Sequence, residues 1–291
     1  MSTPPTPLGG VQNEEADLRD LGRALAEAEQ APVLDARVTT SDLSLDEILL
    51  LHSVGLEPAE VVFGVGCVSI LTGVWTWAVG AVDDARVAFH AALNLAKENI
   101  RSQVHRTGAL GVVGVEVEVD MRPHACTVVI TGTAVRAMSD EASHSHFRVK
   151  YHNAFLCDLS ARDFVVLGNA GWYPLDLVAG ASFVHAPRRS LGTAVGQATQ
   201  NIELTNFTET LYAAREQAMG ELQSRISQAG GTGLLDAKIV DRPMRFASHV
   251  VQFVVYGTAV RMLTAEHTHP QVSMVVPLDD AVRTFEATSL D

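Results

Sequence analysis

A chain of 291 residues with 47% hydrophobic and 19% charged side chains is long enough for two compact domains of roughly 100 to 130 residues each. Its formal net charge of −13 argues against nucleic acid or an anionic membrane as a partner, because both need clustered Lys and Arg to meet phosphates. Three unevenly spaced cysteines, Cys67, Cys126 and Cys157, argue against a disulfide framework and fit a reducing, cytoplasmic setting.

Met1 to Asn13 holds three prolines and reads as a disordered tail, with no basic stretch leading into an apolar one, so no secretory leader is expected. Leu18, Leu21, Leu25 and Ala28 then fall at helical spacing between Glu14 and Gln30. This predicts a short amphipathic helix, with an apolar face for the body of the protein or for a protein partner. Ser44-Leu-Asp-Glu47 is a capping-box sequence and predicts a helix over Glu47 to Ser53, stopped by Gly55. Pro58 leads into an extended run, Val61 to Ile70. The 22 residues from Val61 to Val82 carry no charge, a length that would suit a membrane span, yet their Gly and β-branched Val suit strands.

The long helix that follows has one apolar stripe, Ala85, Phe89, Ala92, Ala96, Ile100 and Val104, and a closing glycine, Gly108. Two strands are predicted next, Val112 to Asp120 and Ala125 to Val135. Within the first, Val115-Glu-Val-Glu-Val119 alternates strictly, so one face is buried and the other wet.

Every element then returns. Asp42-Leu-Ser44 recurs as Asp158-Leu-Ser160, and at the same offset of 116 Gly55, Pro58 and Gly64 recur as Gly171, Pro174 and Gly180. The second short helix, Asp163 to Asn169, follows the weaker cap Ser160-Ala-Arg-Asp163, and the second extended run is Leu177 to His185. Pro187-Arg-Arg189 at the depth of the uncharged stretch argues against a membrane span. The helix stripe returns at an offset of 122 as Phe207, Leu211, Ala214, Ala218, Leu222 and Ile226, closed by Gly230. Strands over Leu234 to Val240 and His249 to Val260 follow, and Gly132-Thr-Ala-Val-Arg136 reappears as Gly257-Thr-Ala-Val-Arg261. The expected organisation is a tail and short helix over 1–40, repeats over 41–140 and 158–265, a linker over 141–157 and an acidic tail over 266–291. One helix covers one side of a three-stranded sheet only. Apolar residues at Val128, Ile130, Phe253 and Val255 suggest sheets with apolar content on both faces, which predicts association of the repeats and then of several chains.

The Gly-containing first strand, the Ala-rich helix, the turns Gly108-Ala-Leu-Gly111 and Gly230-Gly-Thr-Gly233, the Val-rich strand and the closing Gly-Thr-Ala-Val together resemble the YbjQ heavy-metal-binding-domain family, over residues 58–136 and 174–261. The Asp-Leu-Ser elements resemble its tandem actinobacterial forms. The resemblance implies an α+β fold of two dodecin-like β-α-β-β units, each preceded by a short capped helix, and assembly into rings, typically pentamers of single domains. A two-repeat chain would then need five copies, with repeats stacked or alternating. Copy one departs from the pattern where Ala214-Arg-Glu216 is replaced by Ala92-Leu-Asn94.

His144-Ser-His146 and His267-Thr-His269 follow the two Gly-Thr-Ala-Val-Arg motifs at similar distances. In extended chain, residues two apart point the same way, so each pair suits one zinc, copper or nickel ion, with Asp140, Glu141 and Glu266 as nearby carboxylates. Against this stands the ordinary reading of solvated linker histidines. His124 and His249 correspond to each other at the starts of equivalent strands, as further ligand candidates or as partners of backbone carbonyls. Arg136 and Arg261 end the last strands, where they would pair with carboxylates across an interface or hold an anion. Cys67 and Cys126 read as small apolar residues, and His185, Trp75, Trp77 and Trp172 as packing or rim residues without counterparts. No nucleotide-binding loop or nucleophile motif is present. The expectation is therefore a non-enzymatic, ring- or shell-forming homo-oligomer that binds a transition metal. The alternatives are a metal-dependent enzyme built on the His-x-His pairs and a metal-free scaffold.

Overall fold

The computed structural model describes residues 40–71, 75, 80–138, 154–186, 205–240, 244, 246–247 and 249–262. In chain order the elements are α1 (Leu45–Ser53), β1 (Leu56–Ser69), β2 (Gly80–Ala81), α2 (Asp83–Thr107), β3 (Gly111–Arg122), β4 (Ala125–Ala137), β5 (Phe155–Leu156), α3 (Ala161–Asn169), β6 (Trp172–His185), α4 (Thr205–Gln228), β7 (Gly233–Val240) and β8 (Val250–Met262). They form a mixed α+β structure with two four-stranded sheets, ordered β1-β4-β3-β5 and β2-β6-β8-β7. Each sheet takes its short outer strand from the other half of the chain. β5 runs parallel to β3 at Gly111 and Val112, and β2 runs antiparallel to β6 at His185 and Val184.

Both short helices start on the serines of the Asp-Leu-Ser motifs. The Ser44 backbone N–H and hydroxyl both donate to Glu47, whereas the Ser160 hydroxyl accepts from the Asp163 N–H at 3.1 Å. Gly55 and Gly171, both at φ 76°, turn the chain out of the helix, and β1 and β6 begin at once. The strands thus start ahead of Pro58 and Pro174, because an edge position there needs no donor from proline. The Asp-Leu-Ser and Gly-Thr-Ala-Val-Arg motifs recur together because they are bonded. The buried Thr133 hydroxyl donates to Asp42, and the buried Thr258 hydroxyl donates to Asp158.

The two halves share their irregularities as well as their elements. β1 and β6 carry register shifts at Pro58/Val61 and Pro174/Asp176, and β3 and β7 carry them at Val113/Glu116 and Leu235/Lys238. The residue in the left-handed region at the second shift is Gly114 (φ 64°) in one half and Asp236 (φ 52°) in the other.

α2 packs its stripe of Ala85, Phe89, Ala92, Ala96, Ile100 and Val104 onto β1 and β4, all six buried in one cluster with Val62, Val128 and Ile130. The helix backbone comes so close to β1 that a Cβ at Gly64 or Gly66 would overlap the carbonyl of Ala96 or Ala92. α4 lies on β6 in the same way, with the Ala218 carbonyl against Gly180. At the next inward position of β6, Ser182 replaces a glycine and bonds Gln217 Oε1 at 2.8 Å. No described helix is long and apolar enough to cross a membrane, and the uncharged stretch begins as strand β1, which holds Val61 to Ser69.

Candidate functional site: a covered sheet face and an open one

Sheet residues alternate sides, and the two sheets meet different fates on their second faces. In the β6 sheet, Val178, Phe253 and Val255 cluster with Ala214, Ala218 and Leu222 of α4. Its opposite face, Leu177, Ala179, Ala181 and Phe183, is buried in the same cluster as α2. α2 is therefore held between the two sheets.

The junction is polar at its rim. Lys97 Nζ, on α2, donates to Asp176 Oδ2 at 2.5 Å and to the Leu177 carbonyl at 2.7 Å, while Arg101 Nη2 donates to Asp176 Oδ1 at 2.7 Å. Burial pushes the Lys97 ammonium below its ordinary value, and the adjacent Asp176 carboxylate works against that shift. About two turns before Lys97 on α2, His90 Nε2 lies 2.8 Å from Glu221 of α4, which also takes Arg86 Nη1 at 3.1 Å and Arg225 Nη2 at 3.1 Å. Burial pushes the Glu221 carboxyl up, but His90, the Ala181 N–H and Arg225 together outweigh it and hold it below the usual carboxylate range. Burial, reinforced by Arg225, pushes His90 down against the pull of Glu221, so the neutral imidazole donates to the carboxylate from Nε2.

Both groups give stability the same dependence on pH. The folded chain holds the His90 proton less firmly than the unfolded chain, so stability falls as pH drops below about 6.5. The depressed Glu221 value adds stability that is full above about pH 4.5 and is lost as pH falls through the lower folded value. Urea midpoints measured from pH 8 to pH 3.5 are expected to decline through both windows, and Glu221→Gln is expected to remove the lower one. A midpoint in the unsubstituted protein that rises on acidification would contradict this account.

The β1 sheet has the same two-sided alternation, but among the described residues nothing covers its second face around Phe63. Val61, Phe63 and Val65 are 40%, 60% and 39% exposed, and Cys67 beside them is exposed too. Val129 and Thr131 of β4 stand opposite Val65 and Phe63 on this face. Glu116 and Glu118 of β3 pair with Thr131 and Val129, giving the apolar strip an acidic flank.

Several sequence candidates take structural parts. His124 lies exposed in the β3–β4 turn, its carbonyl accepting from the Ile70 N–H at 2.9 Å. His249 lies 2.9 Å from the Trp75 carbonyl through Nε2 and stacks on His185 at 5.6 Å. The two histidines that correspond in sequence thus sit in unlike places. Trp75 itself donates to the Pro123 carbonyl at 2.6 Å, so it ties the β3–β4 turn to the β7–β8 connection. Arg136 Nε donates to Glu57 Oε1 at 2.7 Å within the chain, and Arg261 lies over Gly230 at the end of α4. Cys126 and Cys157 are buried thiols pushed up to about 12 by their surroundings, which makes them poor nucleophiles.

His144, His146, His267 and His269, with Asp140, Glu141 and Glu266, lie outside the described residues, as does the segment from Glu14 to Gln30. Among the described residues no group of three or more His, Cys, Asp or Glu side chains is placed to hold a metal ion. The open face and the Lys97–Asp176 cluster escaped the sequence reading, because periodicity marks a face as apolar without saying what covers it.

No protein-family model matches the chain. It is 30% identical over 249 residues to the encapsulin nanocompartment protein Rv1762c of Mycobacterium tuberculosis, an alignment covering 82% of this chain and 92% of that protein. That likeness, extending over most of both chains, overturns the assignment to the YbjQ heavy-metal-binding-domain family. The glycine and alanine motifs that carried the assignment are the ones a helix needs to approach a strand closely. They report that packing and not a shared metal chemistry.

Proposed function

Since this chain belongs to the family of encapsulin nanocompartment proteins, we propose that it is a structural, non-enzymatic protein whose copies assemble into a closed shell. The observation that carries this reading is the open face of the β1 sheet. A strip containing an exposed Phe63 between Val61 and Val65 is costly to leave in water and suits burial against protein. Burial of that face against a different surface of the next copy, repeated from copy to copy, builds a ring, and further contacts between rings or copies complete a compartment wall. The size of the assembly follows from the rotation between neighbouring copies.

Native mass spectrometry of the full-length protein, paired with negative-stain electron microscopy, tests this. One defined high-mass species with a hollow outline is expected. Phe63→Glu is expected to shift that species to small oligomers or single chains, because assembly would bury an unpaired carboxylate. Its circular dichroism and melting as a single chain should change little, since Phe63 is exposed there. An unsubstituted protein that stays a single chain at every concentration would overturn the reading.

A further inference from the structure

We propose that the outward face of α4 from a second copy of this chain covers the open face of the β1 sheet, repeating between chains the contact that α2 makes with the β6 sheet within one chain. The inference rests on the self-assembly reading above and names the surfaces that assembly uses. Its basis is equivalence of position. Val61, Phe63, Val65 and Cys67 stand where Leu177, Ala179, Ala181 and Phe183 stand in the other half, at the same register: Val61 faces Thr133 as Leu177 faces Thr258. The second set is buried under α2 to within 1% of full burial, whereas the first is open.

The covering element has an equivalent too. α2 and α4 lie on their own strands through the same close approach, Ala96 over Gly64 and Ala218 over Gly180. Hence His90, Leu93 and Lys97, which α2 buries in the junction, correspond to Tyr212, Arg215 and Met219 on α4. Tyr212 is 62% exposed. The replacement of Leu93 by Arg215, part of what sets the two helices apart in sequence, thus falls at a position that is buried on α2 and exposed on α4.

Charge complements the match. Asp176, which answers Lys97 in the junction, corresponds to Glu60 on β1 at the sequence offset of 116, and both lie at the register shifts of their strands. Met219 has taken the place of Lys97, but Arg215 stands at the place of Leu93, which borders the same small cavity as Asp176. A neighbour's Arg215 therefore comes within reach of Glu60. The two surfaces differ from each other and lie at opposite ends of the sheet-helix-sheet-helix stack. The contact is consequently head-to-tail, and it closes into a ring where the rotation per copy allows.

Cross-linking tests the contact directly. In the junction His90 Nε2 lies 2.8 Å from Glu221 Oε2, and the corresponding residues on the proposed surfaces are Tyr212 and Asn99 of the neighbouring copy. A chain carrying Asn99→Cys, Tyr212→Cys and Cys67→Ser, treated with a short bis-maleimide, is expected to give a ladder of dimers, trimers and higher species on a denaturing gel. Either cysteine alone should leave single chains. Native mass spectrometry of the same sample reports whether the variant is assembled. An assembled variant without a ladder overturns the inference and leaves the shell reading standing. A dimer band from one cysteine alone also overturns it, since that contact would be symmetric. An unsubstituted chain that never assembles removes both. Where the cysteine variant does not fold, charge reversal reads the same contact: Arg215→Glu should lower the assembled fraction at least tenfold, and Glu60→Arg combined with it should restore that fraction. Failure of the restoration counts against the contact.

Discussion

Gly64→Val is expected to abolish the cooperative native fold. A Cβ at this position would overlap the Ala96 carbonyl oxygen, well inside contact distance, and lie 2.9 Å from Ile100 Cγ1. The first of these obstacles is helix backbone, which has no rotamer to change, so α2 as a whole must lift away from β1. That helix is packed against the β6 sheet on its other side, and lifting it disturbs both interfaces together. The cost should exceed the roughly 1–3 kcal/mol of ordinary over-packing. Loss of a sigmoidal urea transition by circular dichroism is the readout. Gly220→Ala on α4, where an added methyl meets nothing within 4 Å, is the control and should gain about 0.5–1 kcal/mol from helix propensity. A Gly64→Val protein that melts like the parent would refute the close approach.

Asp176→Ala is expected to destabilise the chain by about 3–5 kcal/mol, because it leaves the buried Lys97 ammonium without its counter-charge. Arg101, 2.7 Å from the other carboxylate oxygen, loses its partner as well and is better placed to reach water. The cost belongs to breaking the pair and not to the pair's own worth. Lys97→Met combined with Asp176→Leu should accordingly recover most of the loss, since two apolar side chains remove both desolvation penalties. A double-mutant cycle by urea denaturation measures this. Equal destabilisation in the single and double variants would show that Asp176 acts through packing alone.

Much of the local structure is legible in the residues. The 3.6-residue stripe from Ala85 to Val104 is the buried face of α2, and Gly108 and Gly230 do adopt the left-handed conformation that ends a helix. Both facts depend on neighbours close in sequence. The exchange of short strands between halves is another matter. Phe155-Leu156 and Gly80-Ala81 are two-residue pairings that carry no periodicity, and they exist because the other half's sheet offers an open edge. The family assignment failed for a related reason. Glycine on a strand opposite alanine on a helix is demanded by any close helix-on-sheet packing, so that signal cannot tell one lineage with this packing from another.

By itself the sequence determined the longer described helices and strands and the order in which they follow one another, because propensity, periodicity and glycine conformation act over a few residues. It also determined that both sheets carry apolar residues on two faces. Which of those faces the chain covers for itself was decided only by tertiary structure. One linear chain with two long helices and two sheets can place one of those helices between the sheets and the other at one end, and among the described residues the remaining face, with Phe63 at its centre, stays open. Lys97 and Asp176 lie 79 residues apart, and Arg86 and Glu221 lie 135 apart, so neither pair has any local signature. Their meeting depends on the docking of the two halves, which is a property of the packed whole.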